Sequence, residues 1–446
     1  MILLVLLSFL WFYTGEKIKS LMIFFFFITD GFQLVPEYVF MYVLPLKPGD
    51  YALLYMIGIA GINVLIKRGS FFNSLTKMDY LLGGLFLSTM FISFYFYQIP
   101  IVDIVKSSRL YFLFFAIFLF RNLSSDELLK LKQLLLYVTL GQSLLFCVQP
   151  FTGLEILNGY AGGGYVKLGF ITIGRFYNIP FFGCYFLFYV FFLRDIPFKK
   201  KILYEIILAL PILLCMHRSL LIAVIFSFIL FIYVRNTSID EKFRKILLFI
   251  LVAIPFTSLI NNYFTQRRGL EDIMSVYEGE YRDIEHIDEL MDQTFLYRIA
   301  HFYERYDYLT NHPFKYVVGA GWMHESSAYT KQNFDFKVGL LNEDFEITQF
   351  DTSDITWSQL ILRIGVFGVF LYLAYMIYWF YFFWKEKKQA APAASAAFLL
   401  VIFITSFTNI MLITSLYFMI ILLDRTLLSK KNEYTETLGL NYYSIV

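Results

Sequence analysis

The sequence predicts an all-α membrane protein: a polytopic bundle of about 12–14 transmembrane helices that carries a helical cap. Of its 446 residues, 59% are hydrophobic and 16% are charged, whereas soluble domains contain about 45–50% apolar and about 25% charged residues. Apolar runs close to the roughly twenty residues that cross a bilayer recur through most of the chain. One long polar segment, 261–355, interrupts them. This composition excludes an ordinary soluble enzyme, and the net charge of +2 gives no indication of nucleic-acid binding.

Each apolar run is interpreted as a span, and two long runs are interpreted as hairpins. The run at 202–234 is interrupted by His217, Arg218 and Ser219, and a second run, 391–428, by Thr408 and Asn409. Because either run is too long for one span, each is expected to form two short helices. The predicted spans are 1–14, 18–33, 49–66, 78–98, 101–120, 131–150, 176–194, 202–216, 218–234, 244–260, 356–384, 391–408 and 410–428.

Basic residues predict the orientation of these spans. More than half of the 37 Lys and Arg lie in loops on one side, which the positive-inside rule assigns to the cytoplasm. The opposite loops, among them 150–175, are then external. The chain therefore divides into an N-terminal bundle (1–260), an external cap formed by one long loop (261–355), and C-terminal helices with a cytoplasmic tail (356–446).

The long loop is expected to fold. It has more than twice as many acidic as basic residues, and loops of this length without structure of their own are uncommon. Within Phe295–Leu309, apolar and aromatic side chains recur at Ile299, Phe302, Tyr303 and Tyr306. This spacing predicts an amphipathic helix that lies along the membrane surface.

Three arginines on the external side are candidates for binding an anionic substrate. Arg175 starts the helix after the external loop, Arg218 lies at the tip of the 202–234 hairpin, and Arg298 begins the cap helix. Each by itself is equally well explained by contact with lipid phosphates. Together, on a side that otherwise avoids positive charge, they suggest a bound diphosphate, whose oxygens match the planar guanidinium. Arg363 lies farther along, inside the next span.

Two residues are candidates for proton transfer. Asp354 precedes the span at 356–384 and can accept or orient a sugar hydroxyl, whereas nearby Asp351 is interpreted as a solvated loop residue. His324 follows a glycine turn and is a candidate general base. The three cysteines lie in apolar runs, and no His, Cys or carboxylate spacing indicates a metal site. We therefore expect no metal and no cofactor.

Four segments resemble, in the same order, motifs of the bacterial O-antigen polymerase and O-antigen ligase superfamily of membrane glycosyltransferases. They are GRFYNIPFFGCYFLF from Gly174, LLCMHRSLLIAVIF from Leu213, YRIAHFYERYDYLTNHPFKYVVGAGW from Tyr297 and DITWSQLILRIGVFGVFLYL from Asp354. The resemblance extends over residues 150–385, with His217 where the family more often has a serine.

The resemblance implies transfer of a glycan from undecaprenyl diphosphate to an acceptor at the periplasmic face of the bacterial inner membrane. By it, Arg175 and Arg218 would hold the donor diphosphate, with Arg298 near it. Ligases of this family carry a histidine at the position aligned with Asp354, whereas many polymerases resemble this sequence in having an aspartate. The resemblance therefore favours a polymerase, which adds the glycan to the non-reducing end of a second lipid-linked repeat unit of a surface polysaccharide.

Two alternatives remain open from the sequence. One is the ligase, whose acceptor is lipid A core or a protein. The other is a transporter or flippase of the same lipid-linked oligosaccharide, although the sequence contains no matching halves of the kind that transporters often show. The expected partners are a lipid-linked oligosaccharide donor and acceptor and membrane lipids. A polymerase is also compatible with a protein that regulates chain length.

Overall fold

A computed structural model describes residues 1–42, 46–67, 75–159, 164–168, 171–194, 196–234, 269–282, 294–341, 347–350 and 354–437. These residues form an α-helical bundle with one small β-hairpin, which confirms the predicted fold class. Two features from the sequence, the span at 244–260 and Asp351, lie outside the described residues.

The first part of the chain forms eight helices. They are α1 (Ile2–Tyr13), α2 (Lys17–Ile28), α3 (Glu37–Met41), α4 (Pro48–Lys67), α5 (Lys77–Tyr95), α6 (Ile101–Ser108), α7 (Ile117–Arg121) and α8 (Ser125–Thr152). A 3-10 segment, Arg109–Phe115, separates α6 from α7, so the apolar run at 101–120 is not one continuous helix. Arg109 begins this segment and forms a 2.9 Å ion pair with Asp50 at the start of α4. The start of the 3-10 segment is therefore held against a buried carboxylate.

The middle of the chain contains a hairpin of strands and a hairpin of helices. Strands β1 (Tyr165–Leu168) and β2 (Ile171–Gly174) pair antiparallel. After α9 (Gly183–Phe192), the run at 202–234 forms α10 (Phe198–Leu214) and α11 (Arg218–Val234). The predicted break into two short helices is thus confirmed.

The cap and the C-terminal region complete the fold. Helices α12 (Gly269–Glu278), α13 (Thr294–Thr310), α14 (Pro313–Val318) and α15 (Ala328–Asn333) belong to the cap, followed by α16 (Thr356–Lys385), α17 (Ala390–Thr405) and α18 (Ser415–Thr437). Four of the described helices, α4, α5, α8 and α16, are long and apolar enough to cross a membrane, and α1, α9, α11 and α17 are shorter apolar helices. The protein is therefore a membrane protein by the length and composition of its helices.

Helix α16 is broken at Gly365, where φ is 66°. The break leaves backbone carbonyls without helical partners, and the loop after α14 supplies the missing donors. The N–H of Ala320 donates to the carbonyl of Leu362 (2.6 Å), and the N–H of Gly321 donates to that of Arg363 (3.1 Å). This pairing satisfies backbone groups inside an apolar bundle, where an unpaired group costs several kcal/mol by order of magnitude.

The same loop anchors the cap in the bundle. Trp322 is buried and lies edge-on to Phe86 of α5, with 5.9 Å between ring centroids. Its backbone N–H donates to Ser93 Oγ (2.8 Å), and Tyr97 Oη donates to the carbonyl of Gly319 (2.7 Å). Because α13 and α14 also pack on α16, the cap is held on the bundle from two sides.

Helix α13 buries a face that differs from the predicted one. The predicted apolar positions, Ile299, Phe302, Tyr303 and Tyr306, are half-buried, whereas Ala300, His301, Arg305 and Leu309 are fully buried. The physical reason is the guanidinium of Arg305, which contacts Glu304 (2.8 Å) and donates to the carbonyls of Val338 and Gln349. These bonds fold the cap loop back over the polar side of α13.

Two buried ion pairs join α18 to the rest of the bundle. Asp424 accepts hydrogen bonds from Lys132 Nζ of α8 (2.7 Å), Tyr185 Oη (2.5 Å) and Ser395 Oγ (2.8 Å). Next to it, Arg425 forms a bidentate pair with Asp79 at the start of α5. Both charges of each pair are buried, so both are costly to separate.

We expect Gly319→Ala to destabilise the protein. Gly319 has φ of 84°, and a Cβ there would overlap the carbonyl of Arg363. The strained backbone and the overlap should lower the free energy of unfolding by about 2 kcal/mol or more, as measured by thermal unfolding in detergent. The matched control is Gly141→Ala in α8, where a Cβ meets nothing within 4 Å. Equal stability of the two variants would contradict the importance of this contact.

Replacing one partner of a buried ion pair should lower the free energy of unfolding more than replacing both partners together. We expect Lys132→Met and Asp424→Asn each to lower the free energy of unfolding by about 3 kcal/mol, because each leaves a buried charge without its partner. The double variant should recover most of that loss. Lys130→Met, at an exposed position of the same helix, serves as the control. Single variants as stable as this control would show that the pair contributes little.

Candidate functional site

The first part of the site is Arg175, at the end of the β-hairpin. Its backbone N–H donates to the carbonyl of Gly164 (2.9 Å), so the hairpin fixes the direction in which the side chain leaves. The side chain is buried, with 6% of its residue surface exposed. Its Nη2 donates to the carbonyl of Met216 (3.4 Å), and its guanidinium carbon lies 4.4 Å from the ring centroid of Tyr177. Arg175 thus contacts the turn of the α10–α11 hairpin.

That turn is organised by His217, which caps α11. Its Nδ1 accepts a hydrogen bond from the backbone N–H of Leu220 (3.4 Å) and lies 3.0 Å from Ser219 Oγ. This is the role that a serine or asparagine plays at other helix N-termini. Ser219 Oγ also lies 2.5 Å from Thr408 Oγ1, which joins the turn to the segment between α17 and α18. Arg218 is the first residue of α11 and directly follows His217, the residue that caps this helix.

The cap contributes Arg298 and Asp354. Arg298 lies on α13, and its Nη2 is 3.7 Å from Oδ1 of Asp354, just before α16. Both side chains keep some exposure, 17% for Arg298 and 35% for Asp354. The ion pair therefore lies at an accessible boundary between the cap and the bundle.

Arg298 and Arg175 both act electrostatically on His217. Burial and, after it, the positive charges of Arg298 and Arg175 together lower the pKa of His217 to about 4. Two guanidiniums from distant parts of the chain therefore act on one imidazole, which is neutral at pH 7. We call Arg175, His217, Arg218 and Arg298 the arginine site.

The structure brings together most of the residues that the sequence singled out. Arg175 contacts the turn that carries Arg218, and Arg298 acts on His217 of that turn and pairs with Asp354. His324 makes a different set of contacts. Its Nδ1 lies 2.8 Å from Ser326 Oγ, and its carbonyl accepts a hydrogen bond from Thr330 Oγ1 (2.8 Å).

The structure gives specific contacts to two residues, His217 and Arg363, that the sequence placed at the hairpin tip and inside a span. His217 forms the centre of the arginine site, and the available signal was a polar triplet that interrupts an apolar run directly before a helix. Arg363 lies inside the bundle, where its Nη1 donates to Tyr111 Oη (3.3 Å) and its guanidinium faces the ring of Trp322 (5.8 Å). It supports the loop that anchors the cap.

The arginine site has the chemistry of an anion-binding site. Guanidiniums bind phosphate oxygens through pairs of parallel hydrogen bonds. Among the described residues, no group of three or more His, Cys, Asp or Glu side chains has metal-binding geometry. The positive charges here come from side chains of the protein itself.

No protein-family model matches the sequence, and no curated protein matches it.

The neutrality of His217 can be measured directly. We expect its imidazole to titrate near pH 4, and we expect Arg298→Gln to raise this pKa because one of the charges that disfavour protonation is removed. The measurement is the pH dependence of the histidine ring signals in NMR spectra of labelled protein, with His217→Gln identifying the signal. Replacing Arg282, an exposed arginine of the cap, should leave the titration unchanged. An ordinary pKa near 6.5 would contradict the proposed convergence.

Proposed function

We propose that the protein is a glycosyltransferase that uses a glycan linked to undecaprenyl diphosphate as its donor. The observation that supports this proposal is the convergence of Arg175, the His217–Arg218 turn and Arg298 at the boundary between cap and bundle. A diphosphate attached to a lipid has to be bound at such a boundary, with its tail in the membrane and its glycan outside. In this proposal the cap faces the periplasm of a bacterial inner membrane.

The arginines would act on the leaving group. A hydroxyl oxygen of the acceptor attacks the anomeric carbon of the donor, and its proton passes to a carboxylate, for which Asp354 is the candidate. The bond from the anomeric carbon to the diphosphate breaks, and undecaprenyl diphosphate leaves with its negative charge. Guanidiniums that are already in place stabilise this charge without reorganisation of water. Two interactions hold the arginine site in place: the hydrogen bond from Arg175 to Met216, and the capping of the N-terminus of helix α11 by His217.

The cap offers groups suited to a glycan. Asp354 keeps about a third of its side chain exposed beside Arg298, and a carboxylate accepts hydrogen bonds from sugar hydroxyls. On α13, Tyr303 packs against Tyr281, and Tyr306 packs against Tyr316. Half-buried aromatic rings of this kind cover the apolar faces of sugars.

We favour a polymerase, in which the acceptor is a second lipid-linked repeat unit of a surface polysaccharide. The contact of Asp354 with Arg298 supports a role for the aspartate at the position where ligases of the resembling family have a histidine. His324 instead has its ring nitrogen against Ser326, which gives no support to the histidine-based alternative. The ligase remains the second candidate.

The broken helix α16 does not favour the transporter alternative. Transporters often use the exposed backbone of broken helices to bind ions or substrates. Here the carbonyls of Leu362 and Arg363 at the break accept hydrogen bonds from the cap loop. The break therefore serves to attach the cap.

The proposal is tested with purified protein in liposomes and one synthetic undecaprenyl-diphosphate-linked repeat unit as both donor and acceptor. We expect a ladder of longer lipid-linked products. Arg218→Ala should reduce the initial rate by about 100-fold to 1,000-fold, the usual cost of losing one preorganised charge-stabilising group. Electrophoresis of labelled products gives the rate.

Arg194→Ala is the matched control, because Arg194 is an exposed arginine after α9, outside both the arginine site and the cap. It should retain the wild-type rate. Transfer that occurs only after addition of lipid A core would identify a ligase. If folded wild-type protein transfers no glycan to either acceptor, the glycosyltransferase proposal is wrong.

A further inference from the structure

The segment between α17 and α18 carries polar residues inside an apolar part of the chain. Thr408 and Asn409 interrupt the run 391–428 and lie in the turn that follows α17. We call residues 406–409 the connecting turn. Backbone and side-chain polar groups of such a turn need partners when they lie within an apolar bundle. The partners of this turn belong to the two parts of the chain that carry Arg218 and Asp354.

The first partner of the connecting turn is the start of α11. Thr408 Oγ1 lies 2.5 Å from Oγ of Ser219, the residue directly after Arg218. Ser219 Oγ also lies 3.0 Å from Nδ1 of His217. The hydroxyl of Thr408 is therefore linked to the arginine site through a single side chain.

The second partner of the connecting turn is the start of α16. The backbone N–H of Thr356 donates to the carbonyl of Ser406 (3.1 Å), and Thr356 Oγ1 donates to the carbonyl of Asn409 (2.6 Å). Thr356 is fully buried and comes two residues after Asp354. The segment that carries Asp354 is thus attached to the connecting turn at two points.

Hydrogen bonds within the connecting turn fix its shape. The backbone N–H of Thr408 donates to the carbonyl of Thr405 (2.8 Å), and the N–H of Met411 donates to Oδ1 of Asn409 (3.0 Å). The second of these bonds closes an Asx turn, in which an asparagine side chain hydrogen-bonds the backbone two residues later. The contacts to α11 and to α16 are therefore made by one locally fixed segment.

The proposed reaction requires the leaving-group site and the proton acceptor to face the same anomeric carbon. The acceptor oxygen approaches that carbon while the diphosphate leaves it, so both groups act at the same moment. A misplacement of about 1 Å can lower the rate by about 100-fold. Arg298 reaches Asp354 and His217 from the cap, and the connecting turn links the same two parts of the chain from the bundle.

We propose that the connecting turn sets the separation between Asp354 and the His217–Arg218 turn, with Thr408 and Thr356 as positioning residues; this role rests on the proposed function. At this separation the acceptor oxygen gives its proton to Asp354 and forms the new glycosidic bond. The bond from the anomeric carbon to the diphosphate breaks, and undecaprenyl diphosphate leaves against the arginine site. The two threonines act through the groups that they hold in place.

The test compares wild-type protein with Thr408→Val and Thr408→Ser in the liposome assay. Valine replaces the hydroxyl by a methyl group, whereas serine keeps the hydroxyl. We expect Thr408→Val to lower kcat by about 10-fold to 100-fold, with KM for the lipid-linked donor within about threefold of wild type. The arginines then still bind the diphosphate but no longer hold it in line with the acceptor. Thr408→Ser should keep kcat within about threefold of wild type.

Two further variants test each side of the connecting turn. Thr356→Val removes the hydrogen bond to the carbonyl of Asn409 and should also lower kcat with little change in KM. Ser219→Ala removes the other hydroxyl of the contact with Thr408 and should show the same effect. The double variant of Ser219→Ala and Thr408→Val should be no slower than Ser219→Ala, because both changes remove one shared contact.

Thr414→Val is the matched control, because the hydroxyl of Thr414 lies in the same segment and bonds the carbonyl of Ile410 (2.9 Å). It should keep the wild-type kcat and KM. The NMR ring signals of His217 give a readout that does not need activity. They should shift in Thr408→Val, because Ser219 loses a partner beside the imidazole, and stay unchanged in Thr414→Val.

Thermal unfolding of Thr408→Val, with a midpoint close to that of wild type, shows that a lost rate is not lost folding. If wild type is active and both Thr408→Val and Ser219→Ala keep its kcat, the positioning role is refuted while the glycosyltransferase proposal stands. A loss of rate in Thr408→Ser as large as in Thr408→Val also refutes the role of the hydroxyl. If wild type is folded and inactive with every acceptor, both proposals fail together.

Discussion

The requirement that backbone polar groups be paired inside an apolar bundle determines how the cap is attached. Helix α16 stops being helical at Gly365, and the carbonyls that this break releases would be costly in a membrane. The loop at Gly319–Gly321 pairs with them through its own N–H groups. Only glycine allows two backbones to approach this closely with φ of 84° and 66°. The position of α13, and hence of Arg298, depends on this contact.

The arginine site is assembled from parts that are each fixed locally. The β-hairpin directs Arg175, the helix cap made by His217 fixes the start of α11, and α13 packs on α16 to present Arg298. None of these arginines has to be positioned by a long flexible loop of its own. This matters because preorganised charge stabilises a transition state, whereas charge that first has to move into place does so at a cost.

Helix α5 connects the buried ion pairs at its start with the loop that anchors the cap at its end. At its start, Asp79 pairs with Arg425 and, beside it, Lys132 pairs with Asp424. At its end, Ser93 contacts the loop that anchors the cap. The pairs at the start match one positive with one negative charge and hold helices together. The arginine site instead brings several guanidiniums to one turn, and guanidiniums bind phosphate oxygens through pairs of parallel hydrogen bonds.

The sequence by itself determined the helical membrane class, the break at His217 and most members of the candidate site. Each of these follows from local information: the hydropathy of a run, or a charged residue inside one. Tertiary contacts decided the rest. Helix α13 buries Arg305 because carbonyls of a distant loop are there to accept its hydrogen bonds. The start of α16 is attached to the connecting turn because the carbonyls of Ser406 and Asn409 accept hydrogen bonds from Thr356. A residue's neighbours in sequence carry no record of such partners, since only the folded chain brings them within hydrogen-bonding distance.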